Sequence, residues 1–80
     1  MIHVKFFASV RERLGRSSME IDPPAHPCSV ADILARVEET AEVSLAGTHL
    51  LAARNQSHVP LGETVRDGDE IAFFPPVTGG

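Results

Sequence analysis

An apolar repeat with the spacing of a single long helix lies in the middle of this chain. Its members recur at i, i+3, i+4 and i+7 with charged residues between them, as in an amphipathic helix: Val30, Ile33, Leu34 and Val37. Ser29 precedes them and is a suitable N-cap. Because one helix covers one face of a sheet, the pattern favours an architecture in which this helix packs on strands.

Alternating apolar residues predict strands on both sides of this helix. We expect strands at 2–7 and 18–22 before it, paired with each other, and at 50–54, 58–59 and 70–74 after it, with turns at 55–57 and 67–69. The segment S-V-R-E from Ser9 to Glu12 predicts a capping box for a short helix over 10–14, which Gly15 would end. The order predicts an α+β domain with a mixed sheet and one main helix on one face.

Length and composition restrict the function classes. A chain of 80 residues makes one domain, and its net charge of −4 argues against a nucleic-acid partner. No apolar run approaches the roughly 20 residues of a membrane span, so we expect a cytoplasmic protein. Cys28 is alone and is expected to be a small buried residue. The histidines lack the i, i+4 spacing of a metal site: His3, His26, His49 and His58.

The parity of the strands predicts an uncovered face with aromatic residues. If Ile2, Val4 and Phe6 face the helix, then Phe7 faces away, and by the same alternation Phe74 and His58 also face away. Leaving two phenylalanine rings in water forgoes about 1.5 to 3 kcal/mol each, which indicates a partner surface. The alternative is that loops of the chain itself cover one of the rings.

Four short motifs resemble those of the small subunits of molybdopterin synthases, which are sulfur carriers. They are V-K-F-F-A at 4–8, N-Q at 55–56, D-G-D-E at 67–70 and A-F-F-P-P-V-T-G-G at 72–80. The resemblance covers essentially the whole chain. It implies a single domain over 1–80 with the ubiquitin-like β-grasp fold and a flexible C-terminal tail over 75–80.

The resemblance also implies a chemistry for the Gly80 carboxylate. An activating enzyme, an E1-like adenylyltransferase, would join this carboxylate to AMP using ATP with magnesium, and a sulfur donor would then displace AMP to leave a thiocarboxylate. The family delivers this sulfur to cyclic pyranopterin monophosphate in the large synthase subunit, in an assembly of two large and two small subunits. The carrier itself binds no cofactor stably and no metal.

The residues of the tail suit entry into a neighbouring subunit. Gly79 and Gly80 have no Cβ and can pass a narrow channel, while Pro75 and Pro76 favour an extended path. At about 3.1 to 3.3 Å per residue, the segment 75–80 reaches about 18 to 20 Å. Within the channel Val77 would make an apolar contact and Thr78 a hydrogen bond. Phe7, Phe74 and His58 would form the partner interface.

Two further functions, which belong to different classes, stay open at this point, because a terminal Gly-Gly alone is shared by other families. One is a carrier for thiamine biosynthesis, and the other is a ubiquitin-like modifier joined to lysines through Gly80. Arg54 and His58 depart from the resemblance, since we expect apolar residues at these strand positions. Both side chains are expected to make the uncovered face more polar and to change the docking contacts.

Overall fold

The computed structural model describes residues 1–24, 26–45 and 49–76. Within these residues the chain forms seven strands and two helices: β1 (Ile2–Phe6), α1 (Ala8–Leu14), β2 (Ser18–Ile21), β3 (Cys28–Ser29), α2 (Val30–Ala41), β4 (Leu51–Arg54), β5 (Ser57–Val59), β6 (Thr64–Val65) and β7 (Glu70–Phe74). Neither of the two helices is long and apolar enough to cross a membrane.

Five strands form one mixed sheet in the order β2-β1-β7-β4-β5. The first strand β1 runs parallel to the last strand β7, and the other neighbours are antiparallel. Ile2 lies opposite Ile21, which confirms the predicted pairing of the first two strands. Strands β3 and β6 form a second, two-stranded sheet, which the sequence did not predict because two residues are too few to show an alternation.

The core lies between one face of the large sheet and the helices. Its members on β1 and β7 have at most 1% of their surface exposed: Ile2, Val4, Phe6, Ile71 and Phe73. Helix α2 contributes Val30, Ile33 and Val37. Burying a side chain of this size stabilises the fold by about 1.5 to 3 kcal/mol, so the alternation of apolar residues fixes which face turns inward. The predicted parity of both strands is confirmed.

Helix α2 begins with a reciprocal cap. The Asp32 backbone amide donates to Ser29 Oγ at 3.2 Å, and the Ser29 amide donates to Asp32 Oδ2 at 2.9 Å. This capping box satisfies amides that have no partner inside the helix, and it confirms Ser29 as the N-cap. The helix ends at Ala41, and its C-cap Glu42 has a φ of 56° and an amide that donates to Glu38 O.

Helix α1 begins earlier than predicted, and its predicted capping box is wrong. The N-cap is Phe7, which makes no side-chain cap hydrogen bond, so Ser9 lies inside the helix. Strand β1 ends at Phe6 and the chain turns at Ala8, where φ is 53°, directly into the helix. At the other end Gly15 has a φ of 71° and its amide donates to Arg11 O, which confirms the predicted helix end.

Two turns place the strands that follow α2. Asn55 and Gln56 have φ values of 50° and 71°, the positive values that a two-residue hairpin between β4 and β5 favours. Ser57, predicted as part of this turn, is instead the first residue of β5. The turn at 67–69 is confirmed, with Gly68 at a φ of 91°.

Candidate functional site

The base of the C-terminal tail leaves the middle strand of the sheet. β7 is paired with β1 on one side and with β4 on the other, and Phe73 near its end is fully buried. Pro75 and Pro76 follow β7 directly and are half-buried. The point from which the tail starts is therefore held on both sides. The other predicted tail residues lie outside the described part of the chain: Val77, Thr78, Gly79 and Gly80.

The face of the sheet opposite the core carries the three residues predicted for the partner interface, which we call the docking surface: Phe7, Phe74 and His58. Phe7 is 49% exposed, and its amide donates to Phe73 O at 3.2 Å, so pairing with β7 continues one residue beyond β1. Phe74 is half-buried and His58 is exposed. All three predicted residues are thus accessible, although Phe7 is the cap of α1 and not a strand residue.

His58 and Phe74 are brought together across the intervening strand. Their ring centroids lie 5.3 Å apart at an interplanar angle of 62°, an edge-to-face arrangement. Ala53 on β4 is the register partner of both His58 on β5 and Ala72 on β7. Two alanines at these positions leave room for the imidazole to reach Phe74, and Ala53 is only 7% exposed. The two rings therefore contact each other above the short side chains of Ala53 and Ala72.

The other end of the same face is polar. His3 Nδ1 lies 3.3 Å from Glu20 Oε1, and Lys5 Nζ lies 3.5 Å from Glu70 Oε1. These contacts are between largely exposed groups, where an ion pair contributes at most about 1 kcal/mol. The face therefore divides into a polar end on β1 and β2 and an apolar end that contains the docking surface.

Arg54 does not belong to the uncovered face, so the prediction that it makes this face more polar is wrong. Its register partner on β7 is Ile71, a core residue, which places the Arg54 side chain on the same side as the core. There the guanidinium donates to Thr64 O at 2.6 Å and lies 3.0 Å from Glu63 Oε2. Arg54 thus ties β4 to the segment around β6.

A polar network joins the turn between β4 and β5 to the start of β7. Asn55 Oδ1 accepts from the Glu70 amide at 2.9 Å, and Asn55 Nδ2 donates to Asp69 Oδ1 at 3.1 Å. Partial burial alone would raise the pKa of Asp69, but hydrogen bonds from the Arg66 amide and Asn55, with the charges of Arg54 and Arg66, lower it below its usual value. The N-Q and D-G-D-E motifs are thus adjacent in space, which no local pattern in the sequence could show.

Cys28 is 8% exposed, as predicted for a small buried residue. Burial, and after it the charge of Asp32, raises the pKa of the thiol, so Cys28 is protonated at neutral pH and a poor nucleophile. Within the described ranges there is no group of three or more His, Cys, Asp or Glu residues that could hold a metal ion.

Comparison with known proteins identifies the family of this chain. The molybdopterin synthase sulfur carrier subunits of Haemophilus influenzae and Escherichia coli are 43% and 44% identical to it, with 100% of each chain covered. SAMP1 from Haloferax volcanii, a small archaeal modifier protein, superposes with a TM-score of 0.77 at 30% identity over 99% of this chain and 98% of that chain. The predicted ubiquitin-like β-grasp fold is thereby confirmed. The model of the ThiS family matches residues 4–80, and the chain belongs to this family.

Proposed function

We propose that the chain is the sulfur carrier subunit of a molybdopterin synthase. The observation that carries this proposal is its full-length identity of 43% to 44% with two sulfur carrier subunits of that name. The fold supports it, because the middle strand of the sheet leads directly into the tail beside an accessible docking surface. In this function the protein works as a subunit and contributes a reactive group to a site in its partner.

The reactive group is the carboxylate of Gly80. An oxygen of this carboxylate attacks the α-phosphorus of ATP in an E1-like activating enzyme, pyrophosphate leaves, and an acyl-adenylate forms. Magnesium bound to the phosphates stabilises the negative charge of this step. A sulfur nucleophile then attacks the acyl carbon, and AMP leaves. The resulting thiocarboxylate is ionised at neutral pH and donates its sulfur to cyclic pyranopterin monophosphate in the large subunit.

In this proposal the folded domain positions the tail, and the tail carries the reactive carboxylate. Docking through Phe7, Phe74 and His58 would seat the apolar end of the sheet on the large subunit. The pairing of β7 with two neighbours would then direct Pro75 and Pro76 towards the partner's site. We place this assembly in the cytoplasm, with two large and two small subunits, and light scattering of the purified complex tests the stoichiometry.

The intact mass of the carrier tests the proposal. The protein is incubated with an activating enzyme of the family, ATP, magnesium and a sulfide source, and its mass is measured under denaturing conditions. We expect a gain equal to the replacement of one oxygen by sulfur. A variant that lacks Gly80 serves as the matched control and should show no gain. If the intact chain gains no mass while the enzyme loads another carrier of the family, the proposal fails.

A second candidate function is a protein modifier joined to lysine side chains through Gly80. The observation that favours it is the similarity to SAMP1, a protein named as a modifier. Conjugation would give species of higher mass on denaturing gels that survive reductant and hydroxylamine, because an isopeptide bond resists both. A carrier of sulfur alone would give no such species.

A further inference from the structure

His58 stands out on the docking surface because its ring nitrogens make no hydrogen bond with the part of the chain that the structure describes. Across residues 1–24, 26–45 and 49–76, neither ring nitrogen has a hydrogen-bond or ion-pair partner, and its ring contact is with the apolar ring of Phe74. A neutral imidazole carries one N–H donor and one acceptor nitrogen. Both are satisfied by water while the surface is exposed.

The surroundings of this imidazole are apolar. It lines a groove of about 360 Å³ at the β5 edge, where the other lining residues among those described are apolar: Leu50, Leu51, Ala52, Val59, Pro60 and Leu61. Leu61, which also lines the groove, is 41% exposed. On the uncovered face the neighbours of the two rings are also apolar, since Leu51 is the register partner of Phe74 and Ala53 that of His58.

The charged side chains on the neighbouring strands are not placed to hydrogen-bond the His58 imidazole when water is displaced. On β4, Arg54 points to the core side and is paired with Glu63. On β7, Glu70 lies on the uncovered face but is paired with Lys5, towards the polar end. On β5 the two other residues, Ser57 and Val59, are uncharged. Among the described residues of these strands, no charged side chain is left to pair with His58, so we look to the partner for its hydrogen bond in a complex.

A partner that covers Phe74 also contacts His58, because the two ring centroids are 5.3 Å apart and both side chains lie on the uncovered face. A polar group that loses water without gaining a hydrogen bond weakens association. We propose that the surface of the large subunit that covers Phe74 carries a hydrogen-bond acceptor opposite His58, a carbonyl or carboxylate oxygen within an otherwise apolar patch. His58 is then a specificity-determining residue, and this inference rests on the proposed function.

Substitution of His58 gives a change of opposite sign under the two alternatives. The dissociation constant for the large subunit from the same organism is measured by calorimetry. With an acceptor in the partner, His58→Phe leaves that acceptor buried and unsatisfied, and we expect affinity to fall about tenfold or more. His58→Gln keeps an N–H donor and should recover part of the loss. With a purely apolar partner surface, His58→Phe would bind more tightly.

The matched control is His3→Phe, which makes the same exchange on the same face at its polar end and should change affinity by less than about twofold. The thermal midpoint of each variant is measured to show that the domain folds. Equal or tighter binding of His58→Phe, or an equal loss in the His3 control, overturns the inference alone. If the wild-type chain forms no complex with the large subunit, the proposed function itself fails.

Discussion

Truncation of Phe7 is expected to weaken docking to the large subunit by about thirtyfold. Phe7 is 49% exposed, and a phenylalanine side chain offers about 200 Å² in all, so about 100 Å² remains for a partner to cover. At about 25 cal/mol per Å² this area corresponds to about 2.5 kcal/mol, of which Phe7→Ala removes about 2 kcal/mol because the Cβ stays. A loss of about 2 kcal/mol is a factor of about 30 in the dissociation constant.

The measurement is a titration of the large subunit with wild-type and Phe7→Ala carrier. Phe7 caps α1 through its backbone and not through its side chain, so the helix should keep its start in the variant. Glu12→Ala, an exposed substitution on the same helix, is the control and should leave affinity unchanged. A change of less than about threefold in Phe7→Ala would show that this ring stays in solvent when the complex forms, and the assignment of the docking surface would have to be abandoned.

Three further predictions concern the stability of the domain. Ser29→Ala should lower the free energy of unfolding by about 1 kcal/mol in urea titrations, because Ser29 caps α2. Ser9→Ala should change it by less than about 0.5 kcal/mol, because Ser9 caps no helix. Equal losses in the two variants would refute the assignment of the caps. Ile33→Ala should cost about 3 kcal/mol, since Ile33 is 1% exposed, and a loss below about 1 kcal/mol would contradict its place in the core. Asp69→Asn should cost up to about 1 kcal/mol at neutral pH. The difference from wild type should shrink as pH falls below the usual carboxyl pKa, because the lowered pKa of Asp69 stabilises the fold fully above that usual pKa and the stabilisation is lost as pH falls through the lowered pKa. A difference that persists at low pH would exclude this cause.

Local patterns in the sequence were sufficient where one residue spacing decides the structure. The helical spacing of the apolar residues predicts α2, because only a helix places them all on one face against the core. Ser29 predicts the cap, because its side chain accepts a hydrogen bond from an amide that has no partner inside the helix. The alternation along β1 and β7 likewise determined which residues enter the core. The outward position of His58 followed from the same rule, and this position carries the interpretation of the docking surface.

Features that depend on pairing between distant segments could not be predicted from local patterns. The parallel pairing of β1 with β7 continues through the Phe7 amide, and this contact leads the chain straight into α1, so Ser9 falls inside the helix despite its capping sequence. The face of Arg54 is predicted wrongly because two adjacent alanines within its strand, Ala52 and Ala53, give no clear alternation. The register with Ile71, which decides the matter, is a tertiary property.

The position of β7 between β1 and β4 determines how core substitutions affect the protein. A strand in the middle of a sheet has no low-energy local opening, so we expect the amides of β7 to exchange with deuterium only through global unfolding. Motion at the edge strands β2 and β5 then leaves the exit path of Pro75 unchanged. A destabilising core substitution should therefore reduce the fraction of molecules competent to deliver sulfur, while each molecule that is folded delivers it at the wild-type rate.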